Sequence, residues 1–68
     1  MRYNIKSRLD RVNCTLTDLH IAVVKTGRVS ITYADFCRAV KGKLLEPRAD
    51  KATAIADEIL TEMRSEEH

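Results

Sequence analysis

Ile31-Thr32-Tyr33-Ala34-Asp35-Phe36-Cys37-Arg38-Ala39-Val40-Lys41-Gly42-Lys43 is the stretch that decides the fold of this chain. Thr32 followed three residues later by Asp35 is a capping-box pattern, with aspartate in place of the usual glutamate. A threonine hydroxyl there satisfies backbone N–H groups that a helix start leaves without partners. The carboxylate sits near the positive end of the helix dipole. Ile31 and Phe36 hold the two positions where apolar side chains staple the incoming chain to a new helix. Arg38 and Lys41 lie in the last turn, and Gly42 supplies a left-handed stop. The stretch predicts one short helix with a defined start and end.

The same grammar stands upstream. Thr15 is followed three residues later by Asp18, with Cys14 and Leu19 at the staple positions. Leu16, Leu19, Ala22 and Val23 then face inward, and Lys25-Thr26 leads into the stop residue Gly27. Between the two helices, Arg28-Val29-Ser30-Ile31 has strand-like residues in too short a run for a sheet, and reads as an extended connection. Further upstream, Ile5, Leu9 and Val12 recur at i, i+4 and i+7, so a first helix is expected over about residues 4–12. Downstream, Pro47 suits a first helical position. Ala52, Ile55, Ala56, Ile59, Leu60 and Met63 form an amphipathic stripe behind it. Residues 1–3 and 65–68 are expected to fray.

These segments predict an all-α chain, a compact bundle of four to five short helices. Its 68 residues allow one domain, spanning 1–68. A core of this size leaves few residues over for an enzyme pocket, so a binding module is the starting expectation. No apolar run approaches the roughly 18 residues of a membrane span. With no secretory signal and only two cysteines, reduced thiols in a cytoplasmic setting are expected. Cys14, His20, Cys37 and His68 show none of the paired spacings of a structural zinc site, so no metal is expected. His20 as a general base would need an orienting carboxylate, and Asp18, two residues away on a helix, points elsewhere. No glycine-rich phosphate loop occurs, and both Thr-x-x-Asp patterns are caps. Neither an enzyme nor a cofactor is expected.

The net charge of +2 hides an asymmetry. Residues 1–48 carry ten lysines and arginines against four carboxylates. Residues 49–68 carry two against six: Lys51 and Arg64, facing Asp50, Asp57, Glu58, Glu62, Glu66 and Glu67. A basic body suits an anionic partner, and an acidic last helix suits a protein contact.

Thr15-Leu16-Thr17-Asp18-Leu19 resembles the T-Q-x-E-L opening of helix 2 in the lambda-repressor-like (Cro-type) helix-turn-helix family. Ile31 to Lys43 is similar to that family's recognition helix and its N-G-K exit. The Pro47-led helix resembles the one that closes its core. Together the matches span residues 4–63. Three departures stand out. The second and third helices are separated by about six residues more than the family's short turn. Leu16 stands where a phosphate-contacting Gln is usual, and Lys41 replaces Asn before Gly42.

The resemblance implies a DNA-binding transcriptional regulator of phage or prophage type, with a recognition helix over about residues 32–41 in the major groove of double-stranded DNA. By family position Thr32, Tyr33, Ala34 and Arg38 would face the bases. Arg38 is suited to guanine O6 and N7, and Ala34 to a thymine methyl. Lys41, Lys43, Arg28 and Arg48 would neutralise phosphates. A single module offers few contacts, so a homodimer is expected, with Ile59, Leu60 and Met63 extending past the core to meet a second copy. The alternative is a protein-interaction module on the same scaffold, an antirepressor or inhibitor docking on a host or phage protein through the acidic last helix.

Overall fold

Thr15 and Thr32 start their helices as local chemistry requires. In the computed structural model each has an extended backbone, and each hydroxyl accepts a hydrogen bond from the N–H three residues on, Asp18 and Asp35 respectively. The structure describes the backbone of residues 5–66 and the side chains of residues 5–63. It comprises α1 (Ile5–Arg11), α2 (Leu16–Lys25), α3 (Tyr33–Val40) and α4 (Pro47–Glu66), with no strand among the described residues. The protein is therefore an all-α small bundle. Ser65 and Glu66 continue α4 where fraying is expected, and residues 1–4 and 67–68 lie outside the described residues.

The helix ends differ in how they satisfy their last carbonyls. After α3, Gly42 has φ 77°, its N–H reaches the Ala39 carbonyl at 3.1 Å, and the Lys43 N–H reaches the Arg38 carbonyl at 2.8 Å. That pair of bonds is a Schellman motif. After α2, Gly27 has φ 74° and its N–H bonds the Val24 carbonyl at 3.0 Å. Here the Thr26 hydroxyl donates to the Val23 carbonyl at 2.7 Å and accepts from the Arg28 N–H at 3.2 Å. The hydroxyl thus stands in for the second Schellman bond and releases the chain into the extended connection. After α1 the left-handed residue is Asn13, φ 54°, and the Cys14 N–H closes back on the Leu9 carbonyl at 3.1 Å. Asparagine is the non-glycine residue best suited to that conformation.

The core gathers one stripe from every helix. Ile5 and Leu9 of α1, Leu19 and Val23 of α2, Phe36 and Val40 of α3, and Ala52, Ile55, Ala56 and Leu60 of α4 are all buried. Ile31 joins them from the connection, so the Ile31–Phe36 staple is also a core contact. The long α4 packs against the other three helices, and α2 packs against α3. Its small residues, Ala49, Ala52 and Ala56, let the shorter helices approach closely. Thr53, the polar residue in this buried set, bonds its hydroxyl to the Ala49 and Asp50 carbonyls at 3.1 and 3.0 Å.

One expectation is corrected here. Leu60 is 1% exposed and belongs to the core, so it cannot face a second copy. Ile59 and Met63 are half-buried and pack against the same core. The reason is α1: it lies along the C-terminal part of α4 and covers the stripe that appears surplus when only α2, α3 and α4 are counted. Arg8 fastens the contact, donating to the Asp57 carboxylate, to the Asp57 carbonyl at 3.3 Å and to the Thr61 hydroxyl at 2.9 Å.

Candidate nucleic-acid interface

A helix turns about 100° per residue, so the burial of Phe36 and Val40 determines what α3 shows to solvent. The opposite side carries Ala34, Arg38 and Lys41, spaced i, i+4 and i+7, and all three are exposed. A small residue beside a long cation on one ridge lets the helix backbone approach a surface while the guanidinium reaches further. Thr32 is exposed at the cap, but its hydroxyl is occupied by the Asp35 N–H.

Tyr33 lies to one side of that ridge. It is 43% exposed, and its ring meets the His20 ring edge-on with centroids 5.7 Å apart. His20 in turn lies 5.6 Å from the Phe36 ring and bonds the Ile31 carbonyl through Nε2 at 2.7 Å. Tyr33 is therefore shared between solvent and a small aromatic cluster, and its position is set by α2 as well as by α3.

Asp35 occupies the other side. Its carboxylate is 3.3 Å from the Arg48 guanidinium and 3.8 Å from that of Arg38. It is turned toward the start of α4, so the carboxylate that a phosphate surface would repel is neutralised within the protein. The cost falls on Arg48, which also contacts Glu46 at 3.5 Å. Arg28 is similarly engaged, with its guanidinium 2.6 Å from the Glu58 carboxylate. Of the cations assigned to phosphate contacts, Lys41 and Lys43 are exposed and carry no ion pair among the described residues. The structure thus brings Ala34, Arg38 and Lys41 to one side of α3, leaves Lys43 exposed just beyond it, and holds Arg28 and Arg48 against carboxylates.

The acidic face of α4 is likewise partly consumed. Asp57 is paired with Arg8 and Glu58 with Arg28. Two carboxylates of the acidic last helix are thus paired with cations of the basic part. Sequence reasoning missed these pairings and the role of His20; for His20 the available signal was its place at the edge of the apolar stripe of α2. Among the described residues no three His, Cys, Asp or Glu side chains gather as metal ligands, and no helix is long and apolar enough to cross a membrane. Comparison with family models, with curated proteins and with solved structures finds no match to this chain.

Proposed function

We propose that this chain is a DNA-binding transcriptional regulator of the lambda-repressor-like type, with α3 entering the major groove of double-stranded DNA. The observation that carries the reading is the exposed Ala34–Arg38–Lys41 ridge on a short, firmly capped helix. Arg38 is the base-reading residue: its side chain is 64% exposed and its contact with Asp35 is long, so it is free to bond guanine. Lys41 and Lys43, held by the Schellman turn, contact the flanking phosphates. The phage or prophage type of such a regulator rests on the sequence resemblance alone.

The two phosphate-contacting lysines of each copy set the salt dependence. Affinity for duplex DNA should fall with salt with a log–log slope of about −2 per copy. Fluorescence anisotropy with mixed-sequence duplexes, from low to physiological salt, measures it. Arg38→Ala should weaken binding and relax base preference at one position by about 1–3 kcal/mol. Lys41→Ala or Lys43→Ala should lower the slope by about one unit with little change in preference. Absence of duplex binding at low salt, or binding indifferent to all three substitutions, rejects the assignment.

A further inference from the structure

The outer face of α2 carries a second pattern that the DNA reading does not use. Thr17, Ile21 and Val24 recur at i, i+4 and i+7 on the side away from Leu19 and Val23. Ile21 is 50% exposed and Val24 38% exposed. Asp18 and Lys25 stand seven residues apart along one flank of this stripe. Both are exposed, and neither carries an ion pair among the described residues.

We propose that this face binds a second copy of the chain, the two α2 helices lying antiparallel about a two-fold axis. The charge pattern selects the occupant. A two-fold axis perpendicular to both helices keeps the same flank of each on the same side and reverses their direction. Asp18 of one copy then faces Lys25 of the other, twice. The midpoint between positions 18 and 25 falls between Ile21 and Ala22, so the axis that aligns both ion pairs also centres the apolar stripe. Val24 of each copy comes between Thr17 and Ile21 of the other. A parallel two-fold arrangement would carry the Asp18–Lys25 flank of one copy to the opposite side from that of the other, so neither ion pair could form. The surface is thus self-complementary in both charge and apolarity, as an isologous contact requires. It replaces the α4 seam that the burial of Leu60 removes, and it is independent of whether α3 binds DNA.

The test uses the purified full chain without DNA, in sedimentation velocity across a wide concentration range. The wild type self-associates to a dimer. Ile21→Lys leaves a monomer, with the helical circular dichroism unchanged because Ile21 is half exposed. Lys25→Glu and Asp18→Lys each raise the dissociation constant by roughly tenfold, by replacing two attractions with repulsions. Mixing these two variants restores the dimer, because each supplies the charge the other has lost. A wild type that stays monomeric at every concentration overturns the proposal. So does a dimer unaffected by Ile21→Lys and Lys25→Glu, or a mixture of the charge variants that fails to associate.

Discussion

The Nε2 of His20 lies 2.7 Å from the main-chain carbonyl of Ile31, eleven residues further on. A carbonyl can only accept, so Nε2 carries the proton in this contact. The bond ties the middle of α2 to the last residue of the extended connection, just before Thr32 caps α3. A short helix-turn-helix sets the relation of its two helices through a tight turn. In this chain the connection is longer, and His20 with the Ile31–Phe36 staple does that work.

Removing this tether should loosen the approach of α3. His20→Ala is expected to lower unfolding free energy by about 1–2 kcal/mol, from the lost bond and the contacts with Phe36 and Tyr33. Urea denaturation measures it. A variant as stable as the wild type would show that the connection is held without His20.

The helix starts make a second, local prediction. Thr32→Ala should cost about 1 kcal/mol, and Thr32→Ser much less, because serine retains the accepting oxygen. Thr15 should behave in the same way, since its hydroxyl accepts from the Asp18 N–H at 3.1 Å. Equal effects of alanine and serine would mean that the hydroxyl is not what matters.

The left-handed residues separate conformational cost from steric cost. A Cβ added at Gly42 meets nothing within 4 Å, yet φ there is 77°. Gly42→Ala should therefore destabilise by about 1 kcal/mol through backbone strain alone. Asn13→Gly should be neutral or slightly stabilising at φ 54°, and Asn13→Val clearly destabilising. Thermal unfolding of the three variants ranks them, and a neutral Asn13→Val would contradict the left-handed assignment.

Two ion pairs of different exposure should differ in worth. The side chains of Arg8 and Asp57 are 27% and 35% exposed, and those of Arg28 and Glu58 are 55% and 57% exposed. Arg8 also bonds the Thr61 hydroxyl. Arg8→Ala should cost about 1 kcal/mol, and Arg28→Ala only a few tenths. The Arg28 effect should disappear in high salt, where exposed pairs are screened. Chemical denaturation at two ionic strengths distinguishes them, and an equal cost for both would refute the ranking.

Cys14 supplies a prediction in pH. Burial beside the core pushes its thiol pKa up, and the nearby Asp18 carboxylate adds to the shift. A raised folded-state value favours the thiol, so this contribution to stability is complete below the unfolded thiol's pKa. It is lost as pH rises through the folded value. At mildly alkaline pH, iodoacetamide should alkylate Cys14 more slowly in the folded chain than in denaturant, and Asp18→Asn should partly restore the rate. Mass spectrometry that separates the Cys14 and Cys37 peptides reads the outcome. Equal folded and unfolded rates would remove the shift.

The elements that were legible in the sequence share one property: their causes lie within about five residues. Thr15, Thr32, Gly27 and Gly42 mark helix ends through bonds to their own neighbours, and Pro47 marks a start where no N–H is needed. The apolar stripes reveal which face of each helix turns inward. Asn13 was passed over because its left-handed backbone needs no glycine, although asparagine before a new cap was a usable signal. For the candidate interface, the resemblance to a helix-turn-helix family pointed to Ala34, Arg38 and Lys41 but not to the state of Asp35, Arg28 and Arg48.

By itself, then, the sequence determined an all-α chain of four to five helices, with caps, stops and inward stripes, because hydrogen-bond satisfaction and helical periodicity act locally. The tertiary structure alone decided which partner each side chain meets. It placed α1 over Leu60 and closed the expected seam on α4. It set Arg8 against Asp57 and Arg28 against Glu58, so part of the charge asymmetry along the chain is paired off across the fold, and it set Arg48 against Asp35 within the basic part. It also left Ile21 and Val24 uncovered. Such pairings join residues far apart in sequence, and they depend on helix packing angles that no local pattern encodes.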